Sequence, residues 1–275
     1  MKYLMYDSFY RNDGAGAQIQ RILSIYLISQ KFNFRYIHST FETKQHNFDF
    51  NYNKKFNELI YLPSDYITTN VKIVKINNLS NIDIIKNNNE KDVLFLIASA
   101  HKYIDNNPEI LDDLFPIKFD FISEKINKKI IIAIHIRRGD VQSNNSNKKR
   151  FIPLNYYVKC IENLNKILKN IDHEFNIYSE ANIYNEKDDI EILKKYNNLF
   201  FHIDEDVIKT FIDLINADIL FSGFSSFSYS ASMLRRKGIV IYCKFWHNYS
   251  NKNILIENPE SIIKNKEKIF KSLFK

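Results

Sequence analysis

Two adjacent arginines at the end of a strongly apolar run are the residues here whose type and spacing most suggest chemistry. They lie in His135-Ile136-Arg137-Arg138-Gly139-Asp140, which closes the run Ile130–Ile136. A guanidinium is a planar fork of donors that matches a phosphate, so two of them at a strand end can hold a diphosphate while Asp140 orients one. Strand alternation sends the two to opposite faces, which leaves room for one to be structural, and a surface ion pair with Asp140 is the simpler alternative. A second segment, Ser222-Gly223-Phe224-Ser225-Ser226-Phe227-Ser228, joins a strand to a helix. Ser225 and Ser226 can cap the helix there, and the same hydroxyls and amides can accept an anion. A third, Gly14-Ala15-Gly16-Ala17-Gln18, would let backbone approach a ligand. It lacks the third glycine of a dinucleotide fingerprint and the lysine of a P-loop.

The elements that must carry these segments follow from hydrophobic patterning. Lys2–Tyr6 and Phe34–His38 are expected strands around a helix whose face is Ile19, Ile22, Leu23, Tyr26 and Leu27. Val71–Ile76 and Val93–Ala98 are expected strands too, separated by Asn-rich loops or short helices. Beyond a Lys-rich stretch at Glu124–Lys129, Ile130–Ile136 is expected to be buried on both faces. Helices from Pro153, Glu186, Val207 and Ser226, the last reaching Arg236, then alternate with strands Phe175–Ser179, Leu199–Ile203, Ile219–Ser222 and Ile239–Cys243. Such alternation predicts parallel sheets with helices on both faces, and ligands beyond the carboxyl ends of the strands. The boundary is placed between 128 and 129, giving domains 1–128 and 129–275, with the last helix free to pack back on the first.

Composition narrows the partners. The chain has 45% hydrophobic residues, only 5 Gly and 5 Pro, and no 20-residue apolar stretch, so an ordered globular protein without a membrane span is expected. Met1–Tyr10 is interrupted by Lys2 and Asp7 and does not resemble a signal peptide, which points to a cytoplasmic or membrane-peripheral location. The net charge of +7 suits an anionic ligand, and it also suits nucleic acid, although no zinc spacing or RNA-binding aromatic motif accompanies it. Asn147-Lys148-Lys149-Arg150 reads as a solvated loop. Cys160 and Cys243 are expected to be reduced thiols.

Together, the three segments resemble the fucosyltransferase superfamily of alpha-1,2-, alpha-1,6- and protein O-fucosyltransferases. His135–Asp140 is similar to its H-x-R-R-G-D motif, Ser225–Leu234 to the S-S-F-S-x-x-A-x-x-L of the alpha-1,2 branch, and Tyr178-Ser179-Glu180 to its Y-S-D. The glycine segment resembles G-x-G-N-Q with Ala17 in place of Asn. The likeness lies in short motifs between residues 14 and 234. It implies a GT-B-like α/β architecture, two Rossmann-like domains facing across a cleft, and a metal-independent, inverting transfer of fucose from GDP-fucose to a glycan acceptor. No cofactor is implied, and the nucleotide-sugar donor and the acceptor are the expected partners. By the resemblance, Arg137 contacts the diphosphate, Arg138 holds the nucleotide, His135 lies near the base, and Ser225, Ser226 and Phe227 cover phosphates and sugar. Gly14, Gly16, Gln18, Asp140, Ser179 and Glu180 complete the nucleotide-binding set. Where relatives place an acidic guanine contact, seven residues before an Ala-Asp pair, this chain has Thr210, so another nucleotide sugar or a catalytically silent binding role stays open.

A base for the acceptor hydroxyl is sought at His38 first, then Asp13, with His101 a third position. Asp204-Glu205-Asp206 imitates a manganese-binding D-x-D, yet it also suits the first turn of the helix beginning near Val207, and no metal is expected. Phe245-Trp246-His247 could stack on a ligand or simply pack.

Overall fold

The computed structural model describes residues 1–8, 13–43, 50–68, 70–112, 129–143 and 146–274. The chain forms two compact units: Met1–Phe121 with His247–Asn251, and Ile122–Trp246 with Lys252–Lys275. The passage from one to the other, including the expected boundary at 128/129 and most of Glu124–Lys129, falls at 113–128, outside the described residues, as does Asn12.

The first unit runs β1 (Lys2–Tyr6), α1 (Ala15–Phe32), β2 (Arg35–Ile37), α2 (Phe50–Leu59), β3 (Lys72–Ile76), α3 (Asp83–Lys86), β4 (Val93–Ile97) and α4 (His101–Asn106). Its sheet is parallel throughout, in the order β2-β1-β4-β3. Tyr3, Leu4 and Tyr6 of β1 and Val93, Phe95 and Ile97 of β4 are buried. The one-sided face expected of α1 is exceeded, because Gln18, Gln20, Ser24, Ile25, Ile28 and Ser29 are buried as well. That is possible because the helix packs on β1 and β2 and is also covered by α4 and the turn Pro108–Asp112. Its buried hydroxyls bond to its own carbonyls, Ser24 to Gln20 and Ser29 to Tyr26, so no polar group is stranded by the extra burial.

The second unit continues with β5 (Ile130–His135), α5 (Leu154–Ile167), β6 (His173–Ser179), α6 (Lys187–Leu193), β7 (Leu199–Ile203), α7 (Val207–Asn216), β8 (Ile219–Ser222), α8 (Ser226–Met233), β9 (Ile239–Cys243), β10 (Ile254–Ile256), α9 (Ser261–Lys264) and α10 (Lys266–Leu273). The sheet is again parallel, ordered β10-β9-β8-β5-β6-β7. β5 is therefore central, and the chain reverses direction across the sheet between β5 and β8. Ile132, Ile134, Phe175, Ile177, Phe221 and Ile241 form its core with Tyr157, Ile161 and Leu164 of α5. Each such side chain contributes roughly 1.5–3 kcal/mol of burial. Ile269 of α10 belongs to the same core, which assigns the last helix to this unit.

Two details depart from the pattern-based expectation. A sixth strand, β10, extends the sheet by three residues. The helix expected to run to Arg236 ends at Met233, and Arg235 leaves it to donate to the carbonyls of Leu214, Ile215, Ala217 and Asp218. A helix end leaves carbonyls without partners, and one guanidinium here serves those that close α7.

Candidate functional site

In an open parallel sheet the crevice outside the strand ends opens where the strand order reverses. In the second unit that point lies between β5 and β8, where His135 pairs in register with Ser222. The arginine segment and the serine segment, some 85 residues apart in sequence, therefore leave the sheet side by side. Gly223 makes the approach possible. A Cβ there would lie 2.7 Å from Tyr157 Oη and 3.0 Å from the His135 carbonyl. The His135 ring packs 5.6 Å from Phe227, in the first turn of α8, and Phe227 packs 5.1 Å from Phe211.

The two arginines do different work. Arg138, 2% exposed, directs its fork to internal partners. Nε and Nη2 donate to Glu186 Oε1 at 2.9 and 2.6 Å, Nη1 to the Arg137 carbonyl, and Nη2 also to the Ile152 carbonyl. Its guanidinium carbon lies 4.4 Å from the centre of the Phe151 ring. The other oxygen of Glu186 accepts from the Leu154 amide at the start of α5. Arg138 is thus a brace for the segment 151–154. Arg137, 16% exposed, donates through Nη1 to Glu180 at 3.0 Å and is paired through Nη2 with Asp140, while its buried Nε has no partner among the described residues. Glu180 also accepts from the Arg138 amide, and Ser179 Oγ donates to the Ile136 carbonyl, so the end of β6 fixes the arginine segment. Gly139 sits at φ 61°, the left-handed conformation that turns the chain toward Asp140.

A cation that sequence reasoning assigned to solvated loop joins this cluster. Arg150, closing the turn Lys148–Arg150, is 22% exposed, donates from Nε to the Phe224 carbonyl at 3.4 Å, and lies 3.9 Å from Asp140. Its guanidinium carbon is 5.5 Å from the centre of the exposed Trp246 ring, while Phe224 stacks on Phe245 at 5.0 Å. Arg137 and Arg150 therefore flank one carboxylate beside the start of α8. Burial, then Arg137, lowers the pKa of His135 to about 3, so this ring is neutral, and its Nδ1 is buried without a partner among the described residues.

On the serine side, Ser225 Oγ caps α8 by accepting from the Phe227 amide, and Ser222 and Ser228 share a hydroxyl contact at 2.9 Å. Ser226 is partly exposed. Thr210 sits on α7 and is partly buried. One turn along, Asp213 accepts from Tyr178 Oη and Lys209. The three acids of the D-x-D look-alike take separate partners. Asp206 caps α7, Glu205 pairs with His202 and Lys209, and Asp204 accepts from the Ala181 amide.

In the first unit the reversal lies between β1 and β4, and the residues named from sequence surround it unequally. Gly14 is the N-cap of α1 in ordinary extended geometry, and Gly16 is buried in its first turn. Gln18, fully buried, donates to the carbonyls of Asp13 and Glu42 and accepts from the Glu42 amide, so its amide fastens the loop. The Asp13 carboxylate pairs with Arg21 at 2.5 Å. His38 follows the outer strand β2, bonded through Nδ1 to Tyr36 and packed on Tyr61. His101 instead follows β4, with Nδ1 against Ser99 Oγ and its ring 6.4 Å from that of His247. Burial, with His247, Arg21 and Lys102 acting in the same direction, holds its pKa below the ordinary imidazole value despite Asp105.

No protein-family model matches the chain, and no curated protein matches its sequence. Among solved structures it is similar to the E. coli heptosyltransferase WaaC with ADP, at 9% identity and a TM-score of 0.48, over 98% of this chain and 99% of that one. It is also similar to the UDP-GlcNAc 2-epimerase from Methanocaldococcus jannaschii, at 16% identity and a TM-score of 0.43, over 99% of this chain and 70% of the other. Likenesses this distant carry no argument about activity. What the coordinates establish is two parallel-sheet α/β units. Among the described residues, no helix is long and apolar enough to cross a membrane.

Proposed function

We propose that the protein is a glycosyltransferase that takes its sugar from a nucleoside diphosphate. The observation that carries this reading is the meeting of a guanidinium-bearing strand end with a serine-capped helix start at the reversal point of the second sheet. An acceptor hydroxyl attacks the anomeric carbon as the bond to the diphosphate breaks, so configuration inverts and negative charge collects on the departing phosphate. Guanidinium groups and the first amides of α8 are arranged to meet that charge. A preorganised donor of this kind is worth about 3–4 kcal/mol in such a step.

The motifs favour GDP-fucose as donor and a glycan as acceptor. Thr210, in place of an acid, keeps another nucleotide sugar equally compatible. For the proton of the acceptor hydroxyl, His101 is a better base than His38 or Asp13. It follows a strand at the reversal point, its Nδ1 can be held by Ser99, and its lowered pKa keeps Nε2 unprotonated at neutral pH once Nδ1 carries the proton. His38 stands one strand further out, and the carboxylate of Asp13 is tied to Arg21.

Thermal unfolding with GDP, UDP, ADP, GDP-fucose and GDP-mannose tests the reading, since a ligand that binds only the native state raises the apparent melting temperature. A rise with nucleoside diphosphates is expected. No response to any of the five would remove the proposal. Transfer is expected to persist in a chelator, and strict manganese dependence would overturn the assignment of Asp204-Glu205-Asp206 to capping and pairing.

A further inference from the structure

Counting donors shows an unequal division of labour among the three cations near the start of α8. Arg138 has little to spare, because Glu186, Ile152 and the Arg137 carbonyl engage all three of its nitrogens and four of its five N–H groups. Arg137 faces a carboxylate at each end of its fork, Glu180 on Nη1 and Asp140 on Nη2. Arg150 differs from both. Among the described residues its hydrogen bond is the long contact from Nε to the Phe224 carbonyl, and the carboxylate of Asp140 stands 3.9 Å from Nη1.

The position of that head matters as much as its availability. Phe224 immediately precedes the N-cap Ser225, so the Nε contact sets the guanidinium beside the chain that enters α8. One side of the group is covered by the Trp246 ring, which limits where the fork can turn. Its backbone is held from behind, since Arg138 grips Phe151 and Ile152, the two residues that follow Arg150. We infer that Arg150 is the residue that grips the departing diphosphate, while Arg137 and Arg138, the pair in the recognisable motif, position the loop that presents it. Asp140, between Arg137 and Arg150, holds the site together when no anion is bound, and an incoming phosphate takes over its contact with Arg150.

The inference rests on the diphosphate reading above, and one calorimetric series separates the two. Inorganic pyrophosphate, GDP, UDP and ADP are titrated into the full chain and into Arg150→Met, Arg150→Lys and Trp246→Ala. In Arg150→Met, affinity for pyrophosphate and for whichever nucleoside diphosphate binds is expected to fall together by roughly ten- to a hundredfold. Arg150→Lys, which keeps the charge and loses the fork, should recover part of it, and Trp246→Ala should lose less than Arg150→Met. Melting curves without ligand, matching the parent, establish that the variants are folded. If the parent binds and a folded Arg150→Met binds equally well, the assignment of Arg150 is overturned and the diphosphate reading stands. If the parent binds none of the four, both fail.

Discussion

The two units solve one topological problem with different chemistry. Each is a parallel sheet with a reversal point, and in each a loop after the first strand must be held still there. In the first unit a neutral amide does this, with Gln18 satisfying Asp13 and Glu42 backbone while fully buried. In the second unit ions do it, through Glu180 and Glu186 on Arg137 and Arg138. A neutral brace adds no net field, which leaves the neutral imidazole of His101 as the notable group. An ionic brace draws cations to the strand ends and leaves one of them, Arg150, loosely engaged. The difference shows how one architecture can fasten equivalent loops with a neutral amide in one half and with ion pairs in the other.

The contrast fails most visibly at Arg138. Arg138→Met should destabilise the protein by about 3–5 kcal/mol in denaturant titration, because a largely buried carboxylate loses its partner, and a loss below 1 kcal/mol would show that the ionic brace is idle. Arg137→Ala should lower turnover by roughly a hundredfold while the fold survives, because the segment it positions between Glu180 and Asp140 shifts, and a folded variant with near-normal rates would take the motif out of the mechanism. Gln18→Ala should cost less, about 1–3 kcal/mol from the lost hydrogen bonds to Asp13 and Glu42, since Thr43 Oγ1 still donates to the Asp13 carbonyl, and a loss equal to that of Arg138→Met would erase the distinction between the braces. Gly223→Ala should cost about 1–3 kcal/mol, because the added methyl meets Tyr157 Oη and the His135 carbonyl, and weaker diphosphate binding should accompany it as the serine loop moves off β5.

A further effect concerns pH. The folded pKa of His135, about 3, lies below the ordinary imidazole value of 6.5. Between those values the unfolded chain binds a proton that the folded chain refuses. Stability contributed by the neutral ring is present above pH about 6.5 and is lost as pH falls toward 3, by up to about 1.4 kcal/mol per unit. His135→Asn should show a shallower decline between pH 7 and 5 in urea melts, and an unchanged slope would remove the buried ring from the account.

Much of this architecture is written in local patterns. The strands buried on both faces, β5 above all, announce themselves as runs rich in isoleucine, and the helices between them carry a regular apolar face. The three residues of β10 fall below what periodicity can signal. The neighbouring of arginine and serine segments follows from strand order rather than from either segment alone. Arg150 was illegible for a related reason. In sequence it ends a lysine-rich run, and only the grip of Arg138 on Phe151 and Ile152 folds it toward α8. Arg138 shows the converse, since its motif suggests ligand contact while Glu186, Ile152 and the Arg137 carbonyl engage all three of its nitrogens.

Five residues near the carboxyl end, His247–Asn251, complete the first unit although the sequence on either side of them belongs to the second. Within that short visit His247 approaches Gln20, Asn248 bonds Asp105, and Tyr249 and Ser250 are buried. The first unit is therefore sewn shut by a segment that follows most of the second. During synthesis its last stitches arrive only after Ile122–Trp246 of the second has emerged, and a polypeptide ending at residue 121 would lack them.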